Sequence, residues 1–308
     1  MLVDFPNYSH ANPWQIKTIQ TSAPMEVKVT SNLELFDCYA LHISWEDILL
    51  RACEGEEKAN QVISRFEEYL RAQSLRSKII WTVHNLTSHT YALKDAEKKL
   101  RAVIMDHASV INLMSMKHAF IIPEKHKSKI NIVPHYLEPS RFSDIPKNTD
   151  ITYFKYGKDR RRSDNDFYLK ILNDDRIKKF VSDSRLNKEV DRADTVITKR
   201  RFTFIEADIY AQLSNFSTFY QEPKFNSGVM NFLIGNKVAV LHDKDSVRYM
   251  DLPESFDMFC IDLSSLNRLN VTDLKSLIRI KQANIDDFIS QRAPKEVSNA
   301  FWKGVLSA

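Results

Sequence analysis

Short apolar runs rich in β-branched residues alternate along this chain with longer segments whose apolar positions recur at helical spacing. The clearest short run lies in Lys78–His89, KIIWTVHNLTSH. Ile79, Ile80, Trp81, Thr82 and Val83 are consecutive, the pattern of a strand buried on both faces of a parallel sheet. The run stops at a polar cluster, His84, Asn85, Thr87, Ser88 and His89, and a helical pattern follows from Tyr91. Ligands of open α/β sheets bind beyond the carboxyl ends of the strands, which places His84 and its neighbours in such a crevice. The simpler alternative is that His84 caps the strand and hydrogen-bonds a loop.

Upstream, the pattern predicts strands over Met1–Phe5, Met25–Thr30 and Cys38–Ile43. A helix over Trp14–Ala23 opens behind Pro13, where a missing N–H costs nothing, and stops at Pro24. A long helix opens at Ser44–Asp47 and runs to Leu70, with Gly55 as its breaking point. Downstream come a helix over Tyr91–Met105, a strand over Ser109–Leu113, a short helix over Ser115–Phe120 and a strand over Lys129–Val133. Prolines, charge and lack of period mark Leu137–Asp150 as a linker.

The alternation then restarts. Strands are expected at Ile151–Tyr156, Lys179–Ser182, Thr195–Thr198, Phe216–Tyr220, Val238–His242 and Met258–Leu263. Helices are expected at Asp164–Leu172, Ile205–Leu213, Gly228–Ile234 and Thr272–Ser290, and a last helical pattern covers Glu296–Leu306. Such alternation predicts two α/β units in tandem, each a parallel sheet with helices on both faces. The expected division is 1–140, 141–293 and a final helix over 294–308.

Composition narrows the class. With 308 residues, 43% hydrophobic and 27% charged, the chain is long enough for two domains and reads as folded and soluble. No run approaches the ~20 apolar residues of a membrane span. Met1–Pro6 lacks a basic region leading into an apolar one, so a cytoplasmic location is expected. Cys38, Cys53 and Cys260 form neither a CxxC pair nor an even framework and read as free thiols. A net charge of +4 is below that of a dedicated nucleic-acid binder, and no RRM, KH or helix-turn-helix pattern supports one. It suits an anionic small ligand or a negatively charged membrane surface. Only 5 glycines are present, and neither a GxGxxG nor a GxxxxGK[ST] phosphate loop occurs. Without HExxH, paired Cys or a G-x-S-x-G elbow, no metal site and no serine hydrolase is expected.

Candidate chemistry gathers after the expected strands. Tyr156–Arg162, YGKDRRR, follows the first strand of the second half. Gly157 allows a tight turn, and Lys158, Arg160, Arg161 and Arg162 suit a diphosphate, because guanidinium groups pair phosphate oxygens bidentately. A solvated basic turn is the alternative. Asn226, Ser227 and Gly228 precede an apolar helix whose N-terminus favours anions; an ordinary serine cap uses the same donors. Glu222, just past a strand, is either an acceptor for ribose hydroxyls or a surface carboxylate. In the first half His10, Asn12 and Trp14 follow strand one, His42 and Trp45 follow strand three, and His135 follows the last strand.

Several of these segments resemble one family. NPWQIKTI is similar to an Asn-Pro-aromatic start of a first helix, YALHISW to a strand ending in His-x-x-Trp, and IIWTVHNLTSH to a Trp-Thr-x-His-Asn segment. ITYFKYGKDRRR resembles the strand and basic loop that open a donor domain, and FNSGVMNFLIGNKVAV a Ser-Gly helix with its Gly-x-x-Val strand. The chain as a whole resembles bacterial glycosyltransferases of the GT-B fold, in the broad group related to family 4 that builds exopolysaccharide, capsule or lipopolysaccharide.

The resemblance implies an α/β GT-B architecture: two Rossmann-like domains facing a cleft, with a C-terminal helix crossing back onto the N-terminal domain. It implies a transferase that needs no metal and takes a UDP- or GDP-linked sugar as co-substrate. The acceptor would be a saccharide or lipid-linked saccharide, with peripheral contact at the cytoplasmic face of the inner membrane. His84 would be the catalytic residue, as a base in an inverting enzyme or as a hydrogen-bonding group to donor sugar or phosphate in a retaining one. Gly157, Lys158, Arg160, Arg161, Glu222, Asn226, Ser227 and Gly228 would hold the donor. His10, Asn12, Trp14, Trp45 and Asn85 would hold the acceptor. Two departures stand out: Val229, Met230 and Asn231 occupy positions where the family carries a glutamate, and an arginine run replaces its Lys-Gly. They keep open a non-catalytic relative that binds nucleotide sugar or partners an active transferase. An unrelated two-domain α/β enzyme, such as a sugar-nucleotide epimerase, is the third reading.

Overall fold

The computed structural model describes residues 2–5, 14, 16–24, 28–30, 32, 38–85, 93–155, 174–182, 195–197, 200–219, 225, 227–242, 247–250, 252, 260–262, 270–283 and 285–307. They fall into two units, Met1–Tyr136 with Pro294–Ala308, and Leu137–Ala293. Each is built on a six-stranded parallel sheet.

In the first unit the strands are β1 (Leu2–Phe5), β2 (Val29–Thr30), β3 (Ala40–Ser44), β4 (Lys78–Thr82), β5 (Val110–Leu113) and β6 (Ile130–Ile132), ordered β2-β1-β3-β4-β5-β6. The consecutive apolar residues of β4 are buried because helices cover both sides of the sheet. Helices α1 (Glu56–Ser74) and α2 (Lys94–His107) follow β3 and β4. Ala59, Ile63, Phe66 and Leu70 form the buried stripe of α1 at three- and four-residue spacing. Gly55 does break the expected long helix: it caps α1 in extended backbone, and only a 3₁₀ turn, Glu46–Leu50, precedes it.

In the second unit the strands are β7 (Thr152–Phe154), β8 (Lys179–Ser182), β9 (Thr195–Ile197), β10 (Phe216–Phe219), β11 (Ala239–His242) and β12 (Cys260–Asp262), ordered β12-β11-β10-β7-β8-β9. Read from β9, the chain order 3-2-1-4-5-6 is that of a dinucleotide-binding sheet. Its helices are α3 (Phe204–Leu213), α4 (Gly228–Gly235), α5 (Val271–Ala283) and α6 (Asp286–Gln291). Thr203 and Glu206 cap α3 reciprocally, satisfying donors that its first turn leaves open. The expected single helix over Thr272–Ser290 is thus two; Ile285, between them, turns into the core.

The expected linker is packed structure. Leu137 is buried in the core of the second unit, the Arg141 N–H donates to Asp208, and Lys147 donates to the carbonyls of Ala211, Gln212 and Ser214 at the end of α3. Gly235 lets this segment lie against α4, since a Cβ there would stand 2.1 Å from the Glu138 carbonyl oxygen.

The last helix, α7 (Pro294–Ser307), returns to the first unit. Val297, Phe301, Trp302 and Val305 join Leu2, Ala40, Ile80 and Val110 in one core. Trp302 donates to the Ile19 carbonyl at 2.8 Å, and Lys78 caps the helix end through the Val305 and Leu306 carbonyls. On this side the described part of the expected Trp14–Ala23 helix has Trp14 in helix and a π-type turn over Ile16–Gln20, and the described part of the expected Met25–Thr30 strand pairs at Val29–Thr30. The expected helix over Ser115–Phe120 is a 3₁₀ turn, Met116–Ile121, and that over Asp164–Leu172 lies outside the described residues. Among the described residues no helix is long and apolar enough to cross a membrane.

Candidate functional site

In a parallel sheet the ligand crevice lies beyond the carboxyl ends of the strands, where the strand order reverses. In the first unit that point falls between β1 and β3. Trp14 follows β1, Trp45 follows β3, and His84 follows the neighbouring β4. The three rings meet. Trp45 stacks flat on His84, centroids 4.0 Å apart at 4°, while Trp14 meets His84 edge-on at 4.3 Å and Trp45 at 6.2 Å.

His84 is buried, and burial pushes its imidazole well below the usual histidine range, with His42 and then His135 adding like-charge pressure. The ring is therefore neutral near pH 7, one nitrogen a donor and the other an acceptor. Among the described residues Nε2 is buried without a hydrogen-bond partner. Leaving a buried polar atom unmet costs about 1–3 kcal/mol, so this position favours a group that can bond to it.

A row of buried polar side chains crosses the sheet beneath the cluster. Nδ1 of His42 lies 2.7 Å from the Asp4 carboxylate and Nε2 lies 2.8 Å from the Thr82 hydroxyl. Asn112 donates to Thr82 at 3.1 Å, and Asn131 donates to Asn112 at 2.9 Å and to the Ala300 carbonyl of α7 at 3.3 Å. Nδ1–H donation to the carboxylate leaves Nε2 to accept from Thr82, which fixes the tautomer. His42 thus lies inside β3, fully buried, rather than after it as the sequence suggested. Nothing in the sequence marks this row except polar residues standing at alternate positions of buried strands. His42 also lies 6.5 Å from Trp14, tying the row to the cluster above.

Of the remaining first-unit candidates, Asn85 is half-buried next to His84, and His135 stacks on Tyr136. His10 and Asn12 lie outside the described residues.

In the second unit the strand order reverses between β7 and β10. Gly157, Lys158, Arg160 and Arg161 follow β7 in sequence and Glu222 follows β10; these residues and Asn226 lie outside the described ones. Lys155, which sequence reasoning passed over as strand, is buried directly after β7, and its N–H donates to the Val181 carbonyl. His242, buried, ends β11. Ser227 caps α4, its hydroxyl accepting from the Met230 N–H at 3.4 Å, and space is open where a side chain at Gly228 would begin. Among the described residues no group of three or more His, Cys, Asp or Glu side chains is placed to hold a metal ion.

No protein-family profile matches the chain, and no curated protein sequence matches it. Solved structures do. Anabaena HepE in complex with UDP is similar at 8% identity and a TM-score of 0.53 over 82% of this chain and 82% of that one. Trehalose-6-phosphate synthase, OtsA, is similar at 8% identity and a TM-score of 0.57 over 86% and 81%. An α-glucosyltransferase in complex with UDP is similar at 10% identity and a TM-score of 0.50 over 90% and 83%. These likenesses show the fold: the chain has the GT-B architecture expected from its sequence, two Rossmann-like units with a C-terminal helix that rejoins the first.

Proposed function

We propose that this chain is a glycosyltransferase that moves a hexosyl group from a nucleotide-sugar donor to a saccharide or lipid-linked saccharide during cell-surface polysaccharide synthesis. The observation that carries the reading is the GT-B fold, shared with HepE in complex with UDP and with an α-glucosyltransferase in complex with UDP. The second unit takes the donor. Its strand order reverses where the sequence supplies Gly157, Lys158, Arg160 and Arg161 after one strand and Glu222 after the other. With Asn226, Ser227 and Gly228 at the start of α4, these groups offer cations and amide donors to a leaving diphosphate, and no metal is needed. Fixed donors of this kind act most strongly where charge develops in the transition state.

His84 is the catalytic residue of this proposal. A neutral imidazole whose pKa is held down is a poor general base near pH 7, so it serves better as a hydrogen-bonding group to donor sugar or phosphate. His10, Asn12, Trp14, Trp45 and Asn85 are the residues proposed to hold the acceptor. Thermal denaturation with UDP-, GDP-, ADP- and CMP-linked sugars, each with and without magnesium, tests the reading. One nucleotide at about 100 times its Kd adds about 2.7 kcal/mol of stability, magnesium leaves the shift unchanged, and Arg160→Ala abolishes it. No shift with any of them overturns the reading.

A non-catalytic relative is favoured by one observation. Met230, one of the three residues standing where the family carries a glutamate, is buried in the core of the second unit and offers a donor sugar no carboxylate. Donor binding without transfer to any acceptor selects it.

The protein is proposed to work in the cytoplasm, with peripheral contact at the inner membrane face. On the turn Met116–Ile121, Met116 and Phe120 are 62% and 59% exposed, with Lys117 between them; on the next turn, Glu124–Lys129, Lys125 and Lys127 pair with Asp106 and Glu124. Apolar insertion flanked by lysines suits an anionic bilayer. The chain is expected to sediment with phosphatidylglycerol vesicles and not with phosphatidylcholine vesicles. Met116→Asp/Phe120→Asp abolishes sedimentation if this turn is the contact; equal sedimentation of the variant removes it.

A further inference from the structure

We infer that Trp45 is a positioning residue, held in a left-handed turn by Glu46 and Arg101 so that its indole fixes the direction in which His84 presents Nε2 to a ligand. The inference rests on the role proposed for His84. It starts from an anomaly in strand alternation. Ile43 pairs with Trp81 across β3 and β4, and successive side chains of a strand point to opposite faces. Continued alternation puts Trp45 on the face of Ile43 and Trp81. His84, Thr82 and Ile80 belong to the other face, the one covered by α7.

Trp45 lies on that other face, packed against the core that holds Trp14 and Ile80. The backbone achieves this at φ 47° and ψ 51°, a region non-glycine residues rarely enter and one especially unfavourable for a bulky side chain. Strain of this kind persists only where the surroundings over-determine it. Here they do so through the next residue. Glu46 is buried on the opposite face, where it accepts from Trp81 Nε1 at 3.2 Å and from Arg101 Nε at 2.7 Å, and Arg101 also pairs with Glu97 at 2.9 Å. With β3 fixed before it and Glu46 anchored after it, the left-handed residue is the joint that turns the indole over. The indole then lies 4° from parallel to the His84 ring. Trp14 closes the edge.

The titratable groups facing His84 are His42 from β3, itself bonded to Asp4, and His135 from beyond β6. With these unchanged, Trp45 controls the burial and orientation of the ring. The test is imidazole proton NMR of the full chain from about pH 8 to about pH 5, with His84→Gln to assign the resonance. In the wild type the His84 midpoint lies below the ordinary histidine value. In Trp45→Ala the midpoint moves up toward 6.5, that ordinary value, and in Trp45→Phe it stays at the wild-type position, because a stacked ring remains. Glu46→Gln weakens the anchor and moves the signal in the same direction as Trp45→Ala.

With a nucleotide-sugar substrate, Trp45→Ala lowers kcat at least tenfold with donor KM within about threefold, and Trp45→Phe restores most of it. A His84 midpoint unmoved from the wild type in a folded Trp45→Ala variant overturns the inference. If the wild type binds no nucleotide sugar, the proposed function fails, and the titration still decides the positioning.

Discussion

On the proposed function, replacing His84 with phenylalanine is expected to lower the kcat of glycosyl transfer by about 100- to 1,000-fold, the loss typical when one fixed hydrogen-bonding group at developing charge is removed. Phenylalanine keeps a flat ring, one atom larger than imidazole, against Trp45 and Trp14 and removes the nitrogens, so the stacked cluster persists while the hydrogen bond to the donor is lost. A kcat within about threefold of the wild type ends the catalytic role.

The same variant changes the pH dependence of stability in a direction the burial of His84 fixes. The folded pKa is pushed down by burial and lies below the unfolded value of about 6.5. Between the two values the unfolded chain binds the extra proton, so the wild type loses stability as pH falls through 6.5, at up to about 1.4 kcal/mol per pH unit. His84→Phe lacks this slope. Urea unfolding of both proteins between about pH 7.5 and about pH 5.5 reads the difference; parallel curves contradict a neutral buried His84.

His42→Leu is the second large effect, on stability rather than on rate. It takes the imidazole away from a wholly buried carboxylate and a wholly buried hydroxyl, Asp4 and Thr82. Taking one hydrogen-bonding partner from a wholly buried carboxylate costs about 3–5 kcal/mol, a large fraction of the 5–15 kcal/mol that holds a domain together. The double variant Asp4→Leu/His42→Leu recovers most of that loss, because an apolar pair of similar volume needs no partner. All four tryptophans, Trp14, Trp45, Trp81 and Trp302, lie in the first unit, so indole fluorescence follows its unfolding separately from the second. A single variant that loses under about 1 kcal/mol refutes the structural role of the row.

The fold was legible where one signal dominated. Ile79–Val83 could only be a doubly buried strand, and Ala59, Ile63, Phe66 and Leu70 could only be one face of a helix. What stayed hidden depended on partners distant in sequence. Asp4, His42, Thr82, Asn112 and Asn131 are unremarkable singly; only the parallel register lines them up. Trp14, Trp45 and His84 could be placed at strand ends from their spacing. That Trp45 reverses its side to reach His84 follows from the grip on Glu46 by Trp81 and Arg101, 35 and 55 residues away. Over 137–150, prolines and charge mimic a free segment, while Leu137 and Lys147 anchor it to the second unit.

The return of α7 to the first unit sets an order of assembly. On the ribosome the chain emerges from its amino end, and a domain made of contiguous residues can fold as soon as it is out. The sheet β1–β6 cannot complete its core in that way. Val297, Phe301, Trp302 and Val305 are translated only after all of residues 137–293. The second unit, though later in sequence, is therefore the first that can finish. Until α7 arrives, Leu2, Ala40, Ile80 and Val110 present a bare apolar surface to the cell, the stage at which chaperones would be expected to act.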